Sequence, residues 1–231
     1  MKNFVFDLYG TLVDIRTVEH SPKFKAEYLQ YIKKFGADDT FFENFSAKLS
    51  QYSRFDEPDI VKVISGAVEA SGGQMTELSA VEASLEFRML STQRLKLYCG
   101  VKKLLKSLKR KGAKLYLLSN AQAVFTIYEL NKLGIYKYFD GIELSSDFGK
   151  KKPSPDFFAH IVKKYSLSVC ETVYTGNDIA CDIVPSKQAG MHAVYIKSLI
   201  SPAEDDLLKA QELADFATDD TATAYKYLIK L

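Results

Sequence analysis

Four places along the chain carry side chains able to do chemistry, and each follows an apolar run or opens a helical one. Asp7 follows Phe4-Val5-Phe6 and precedes Leu8-Tyr9-Gly10-Thr11. Ser119-Asn120 follows the apolar Leu115–Leu118 run. Lys152 stands just before Pro153-Ser154-Pro155, and Gly176-Asn177-Asp178 follows Thr172–Thr175, with Asp182 four residues beyond Asp178. Together they supply a carboxylate, a hydroxyl, an ammonium group and a second acidic cluster. That set suits attack on an anionic substrate: the Asp attacks, Ser and Lys hold the anion, and the acidic cluster holds a divalent cation.

Such chemistry needs elements that bring distant segments together. Asn3–Leu8, Lys114–Leu118, Gly141–Leu144, Thr172–Thr175, Ala193–Ile196 and Leu213–Ala217 read as short buried strands. Between them lie helical patterns, such as Val101, Leu104, Leu105 and Leu108 closed by Gly112, and Phe157, Phe158, Ile161 and Val162 started by Ser154-Pro155. Strands alternating with helices indicate parallel βαβ units, and in an open parallel sheet ligands bind beyond the carboxyl ends of the strands. All four places fall at strand ends or helix starts.

The stretch from Arg16 to Thr92 breaks this alternation with four helical patterns and no strand. Phe24, Tyr28, Ile32 and Phe35 form the first, with Gly36 as C-cap; Phe42, Phe45, Leu49 and Tyr52 form the second, behind a Thr40/Glu43 capping box; Ile60, Ile64, Ala67 and Val68 form the third; Leu78, Val81, Leu85 and Met89 form the fourth. The expected architecture is α/β: a Rossmann-like parallel sheet core, residues 1–14 and 96–231, with an inserted α-helical cap, residues 15–95. Linkers are expected near Asp14–Arg16 and Leu95–Gly100.

Composition narrows the function. Lys and Arg number 31 against 29 Asp and Glu, a net charge of +2. No basic excess points to nucleic acid or a membrane surface. No apolar run approaches the roughly 20 residues that span a bilayer. Cys99, Cys170 and Cys181 are odd in number and form no CxxC pair, which fits thiols in a reducing compartment. A cytoplasmic enzyme with a small-molecule partner is expected; the sequence assigns no oligomeric state.

Each motif also has a bland reading. Asp7 could cap a turn, and Thr11 could stabilise it. Ser119 could N-cap the next helix, Lys150–Lys152 could be a solvated charge run, and Asp178 with Asp182 could cap the helix after Gly176. Arg54, Arg88 and Arg94 could reach a substrate from the insert. Taken in order, however, the motifs Phe6-Asp7-Leu8-Tyr9-Gly10-Thr11-Leu12, Leu117-Leu118-Ser119-Asn120, Lys152-Pro153-Ser154-Pro155-Asp156 and Gly176-Asn177-Asp178 with Asp182-Ile183 resemble those of the haloacid dehalogenase (HAD) superfamily of hydrolases with an N-terminal helical, C1-type cap.

The resemblance implies a covalent intermediate on Asp7, with Ser119 and Lys152 stabilising the transferring group. Tyr9, Gly10, Thr11 and Asn120 would face substrate. Asp7, the Tyr9 carbonyl and Asp178 would hold Mg2+, with Asn177 and Asp182 as further candidates. Family phosphatases carry an acid two residues after the nucleophile; Tyr9 stands there, as in family dehalogenases that work without metal. The acidic pair resembles the magnesium enzymes. A Mg2+-dependent phosphatase of a small phosphorylated metabolite is therefore expected. The alternatives are a metal-independent 2-haloacid dehalogenase and a non-catalytic binding protein of the same fold.

Overall fold

A computed structural model describes residues 1–231. In chain order it contains β1 (Asn3–Phe6), β2 (Val13–Thr17), α1 (Pro22–Ile32), α2 (Phe41–Leu49), α3 (Ile60–Ala70), α4 (Glu77–Ser91), β3 (Thr92–Leu97), α5 (Val101–Arg110), β4 (Lys114–Ser119), α6 (Ala123–Lys132), β5 (Gly141–Leu144), α7 (Ser145–Phe148), α8 (Pro155–Lys164), β6 (Thr172–Gly176), α9 (Val184–Gln188), β7 (His192–Ile196), α10 (Leu207–Leu213), β8 (Phe216–Thr218) and α11 (Thr221–Lys230). Six strands form one parallel sheet in the order β5-β4-β1-β6-β7-β8. The chain leaves β1 toward β4 on one side and returns to β6 on the other, so a crevice opens at the β1 carboxyl end.

Side chains alternate between the two faces of this sheet, and both faces are covered. Phe4, Phe6, Leu115, Leu117, Val173, Val194 and Ile196 enter one core with α5 and α11. Val5, Tyr116, Leu118 and Tyr174 enter a second core with Phe157, Phe158 and Ile161 of α8. Burial on both faces explains why the strands read as continuous apolar runs. Each large apolar side chain buried this way contributes about 1.5–3 kcal/mol.

The inserted helices have a core of their own, built by Phe24, Tyr28 and Ile32 of α1, Phe41 and Phe45 of α2, Val63, Ile64, Ala67 and Val68 of α3, and Ala83 and Phe87 of α4. Two expectations for this region differ from the structure. The segments read as linkers pair as an antiparallel ribbon, Val13 opposite Leu97 and Ile15 opposite Leu95. Val13 and Ile15 point inward and Arg16 and Thr17 outward, a period-two pattern too short to stand out from the sequence. Helix α4 buries Ala80, Ala83, Ser84, Phe87 and Ser91 rather than the apolar stripe; Leu78 is 69% and Met89 63% exposed. Phe87 packs against Phe24, Tyr28 and Phe45, with small residues beside it, so this face of α4 enters the core.

Smaller differences follow local hydrogen bonding. Thr40 makes no side-chain cap; its amide and hydroxyl donate to Asp38, while the reciprocal capping box forms between Thr76 and Ser79. Helices α10 and α11, absent from the sequence reading, start from the N-caps Asp206 and Asp220. No helix is long and apolar enough to cross a membrane.

Candidate active site

Asp7 follows the last residue of β1, Ser119 ends β4 and Asn177 follows β6, so three adjacent strands deliver three polar groups to one rim. Lys152 arrives from the loop before α8. Its position is fixed through its main chain: the Lys152 amide donates to Asn120 Oδ1 at 2.7 Å, and Asn120 Nδ2 donates to the Lys152 carbonyl at 3.0 Å. Both ends of the Asn120 amide are thereby spent on positioning Lys152.

The Lys152 ammonium has three protons and three acceptors. It lies 2.8 Å from Asp7 Oδ1, 2.6 Å from Asp182 Oδ1 and 3.0 Å from the Tyr174 hydroxyl oxygen, and it is buried. Ser119 Oγ donates to the same Asp7 oxygen at 3.1 Å and makes no helix cap. Asp7 Oδ2 accepts only from Thr11 Oγ1, at 3.2 Å, a hydroxyl also 3.2 Å from Asn177 Oδ1. Burial pushes the Asp7 carboxyl upward, opposed by the Lys152 ammonium; Asp182 pushes it further up. Burial alone would lower Lys152, but Asp182 and Asp7 hold it well above the usual lysine range. The lysine is a fixed cation, and the Asp7 side chain has one saturated oxygen and one lightly held.

Asp182 is fully committed. Oδ1 accepts from Lys152 and from Tyr174, and Oδ2 accepts from the amides of Asn177 and Asp178, each at 3.1 Å. Asp178 Oδ1 accepts from the Cys181 amide at 2.7 Å and caps a single π-helical turn, Ile179–Ile183. Two glycines permit the close approaches here. A Cβ on Gly176 would lie 2.4 Å from the Asp182 carboxylate, and one on Gly10, whose φ is +88°, would lie 2.5 Å from Asn177 Nδ2.

Tyr9 lines the cavity, yet its hydroxyl is anchored away from Asp7. It donates to Glu129 Oε2 at 2.6 Å, with Thr126 Oγ1 at 3.1 Å. Burial, with the nearby Glu129 carboxylate, pushes this phenol well above its ordinary value. Its proton is committed, so Tyr9 is unsuited to protonating a leaving group.

These residues surround one cavity of about 250 Å³, lined by Asp7, Tyr9, Ser119, Asn120, Lys152, Asn177, Asp178 and Asp182 together with Cys181, Ile200 and Pro202. A larger cavity of about 450 Å³ lies between α4 and α6; Arg88 and the Tyr9 partner Glu129 line it, and none of the residues around Asp7 does. The chemistry favours the smaller one. The structure thus brings together Asp7, Tyr9, Ser119, Asn120, Lys152, Asn177, Asp178 and Asp182, with Gly10 and Thr11 in the loop beneath. Sequence reasoning missed Tyr174, Cys181, Ile200 and Pro202. Tyr174 carried a signal: a tyrosine in a fully buried strand needs a hydroxyl partner, and it stands two residues before Gly176. The insert's arginines are placed elsewhere: Arg88 pairs with Glu129 and Arg94 with Asp14, both at 2.6 Å, while Arg54 packs over Phe55.

Comparison with known proteins places this geometry. A glyceraldehyde 3-phosphate phosphatase of Methanocaldococcus jannaschii is 36% identical over 120 residues, covering 49% of this chain and 53% of the relative, so the match spans about half the relative's length. A phosphoglycolate phosphatase of Pseudomonas fluorescens is 25% identical over 199 residues, covering 83% of this chain and 68% of the relative. Among solved structures, a 2-haloacid dehalogenase from Pseudomonas syringae pv. Tomato superposes with a TM-score of 0.70 at 21% identity, covering 100% of this chain and 99% of that one, which establishes the shared fold. A family model described as haloacid dehalogenase-like hydrolase matches residues 1–190, and the chain belongs to that family.

Proposed function

We propose that the protein is a Mg2+-dependent phosphatase of a small phosphorylated metabolite, acting in the cytoplasm through an aspartyl-phosphate on Asp7. One observation carries this reading: Ser119 and Lys152 stand 3.1 and 2.8 Å from the same oxygen of a buried carboxylate. A phosphoryl group under attack by Asp7 falls within hydrogen-bonding reach of both donors. Lys152 offsets charge on the equatorial oxygens, and Ser119 orients the group for in-line displacement. Asn120 and Asp182 hold the lysine in place. The free cysteines fit a reducing compartment, and the phosphatase relatives favour a phosphate ester.

The donor set around Asp7 suits magnesium. Asp7 Oδ2, Asn177 Oδ1 and the Asp178 carboxylate offer only oxygen, and Thr11 bridges the first two. The Tyr9 carbonyl accepts no hydrogen bond from the protein. Asp182 has no free lone pair to offer, and no cluster of three or more Asp, Glu, His or Cys side chains is assembled. One or two carboxylates completed by water and substrate oxygens is the ordinary environment of Mg2+. Asp7, the Tyr9 carbonyl and Asn177 would hold the ion directly, with Asp178 beside them. When bound it would neutralise charge on the phosphoryl group.

A second reading is favoured by Tyr9, which supplies no acid to a leaving group. Displacement of halide needs none, so a 2-haloacid dehalogenase forming an Asp7 ester remains the competing chemistry. Turnover in 18O-water separates the two. Water attacking phosphorus puts the label in inorganic phosphate and leaves Asp7 unlabelled; water attacking the ester carbonyl labels Asp7. Phosphate release that stops in excess chelator, with unlabelled Asp7, is expected. Chloro-acid turnover in chelator with labelled Asp7 would overturn the phosphatase reading.

A further inference from the structure

The phenol two residues beyond Asp7 belongs to a buried network that the proposed chemistry does not use. Glu129 of α6 is 4% exposed. It accepts from Arg88 of α4 in bidentate fashion, Nε to Oε1 at 2.6 Å and Nη2 to Oε2 at 3.1 Å. The oxygen taken by Nη2 also accepts the Tyr9 hydroxyl at 2.6 Å. The Arg88 guanidinium sits between two rings, 5.1 Å from the centroid of Tyr9 and 4.6 Å from that of Phe125. One arginine from the insert therefore grips, directly and through a carboxylate, the residue two positions from the candidate nucleophile.

We propose that Arg88 is a positioning residue for Asp7, acting through Glu129 and Tyr9, so that docking of α4 on α6 sets the conformation of the Asp7–Val13 loop. This rests on Asp7 as the nucleophile. The loop is short: Thr11, Leu12 and Val13 all donate their amides to the Leu8 carbonyl, and the Gly10 amide donates to Val13. Asp7 and Tyr9 flank Leu8, whose carbonyl, in the Leu8–Tyr9 peptide, collects those bonds, so a shift of the Tyr9 ring turns that peptide and is passed through Leu8 to Asp7. Geometry, more than net stability, is what such a pair supplies. A buried ion pair contributes little over an apolar replacement, but its bidentate form fixes orientation. The same guanidinium links the insert to the active-site loop, since α4 belongs to the insert.

Tyr9→Phe removes only the hydroxyl, Glu129→Gln only the charge, and Arg88→Met only the guanidinium. Each is compared with the parent in magnesium-dependent hydrolysis of p-nitrophenyl phosphate, and in backbone hydrogen exchange over residues 7–13. The expected result is a fall in kcat of roughly 10–100-fold with KM little changed, as for reacting groups held out of line. Faster exchange at Thr11, Leu12 and Val13 should accompany it in all three variants. Folded variants with parental kcat would overturn the proposal. So would faster exchange confined to α4 and α6 with residues 7–13 still protected. If the parent and Asp7→Asn hydrolyse the ester equally, the reading of Asp7 fails instead, and the exchange measurement decides the structural coupling by itself.

Discussion

Replacing Lys152 with methionine removes the one cation shared by Asp7 and Asp182 while keeping a side chain of similar length. In the parent all three ammonium protons are used, two of them on carboxylate oxygens at 2.8 and 2.6 Å. Asp182 keeps three other donors, the Tyr174 hydroxyl and two amides, whereas Asp7 keeps two hydroxyls. Removing one partner of a buried ion pair costs about 3–5 kcal/mol, and that is the expected loss of unfolding free energy near neutral pH. The loss depends on pH. Burial and Asp182 both raise Asp7, and Lys152 is the main group opposing them. Without it the folded carboxyl of Asp7 lies further above its unfolded value of about 3.9. Between those two values the folded variant holds a proton that the unfolded chain has released, so the variant gains stability as pH falls. Asp7 of the parent is also raised, so the deficit shrinks only between the folded values of variant and parent, by up to about 1.4 kcal/mol per pH unit there. Urea unfolding of parent and variant at about pH 7.5 and about pH 5 measures both quantities. A deficit below about 1 kcal/mol, or one equal at the two pH values, would refute the reasoning.

Other outcomes follow from single contacts. Gly10→Ala places a Cβ 2.5 Å from Asn177 Nδ2 at a φ of +88°. A left-handed conformation costs an alanine about 1–2 kcal/mol, and displacement of Asn177 should weaken magnesium binding measured by calorimetry; parental affinity would argue against Asn177 as a ligand. Glu143→Gln tests the acid limb of stability. Burial pushes the Glu143 carboxyl up, but Lys164, Tyr165 and His160 together hold it below the ordinary value. Its stabilisation is present above the unfolded value of about 4.3 and is lost as pH falls through the lower folded value. The glutamine variant should be less stable near neutral pH by about 1–3 kcal/mol and flatter below about pH 4.5 in urea titrations; parallel curves would contradict this.

Much of the fold was legible because the central strands β1, β4, β6 and β7 are short apolar runs with both faces covered, so burial leaves its mark on nearly all of their positions. The convergence of Asp7, Ser119 and Asn177 was legible for the same reason, as strand ends in a parallel sheet share a rim, while Lys152 was legible from its place before a helix start. Asp182 shows where local reading stops. Its spacing from Asp178 resembles a metal pair, yet tertiary contacts commit it to Lys152, Tyr174 and two amides. Asn120 was read as facing substrate; it lines the cavity, and its amide also pins the Lys152 main chain. The direction of a side chain at a strand end depends on partners over 30 residues away, which no periodicity encodes. Helix α4 differs in another way: Leu85 and Met89 of its apolar stripe line the α4–α6 cavity, while the face carrying Ala80, Ala83, Ser84 and Phe87 is buried.

The role of Asp7 is tested most directly by acid-quenching the magnesium-loaded protein during turnover of a small phosphate ester and weighing its N-terminal peptide. A mass raised by one phosphoryl group on the peptide containing Asp7, absent in Asp7→Asn along with turnover, is the predicted result. Phosphate release at the parental rate by Asp7→Asn, or turnover with the label on another residue, would contradict it.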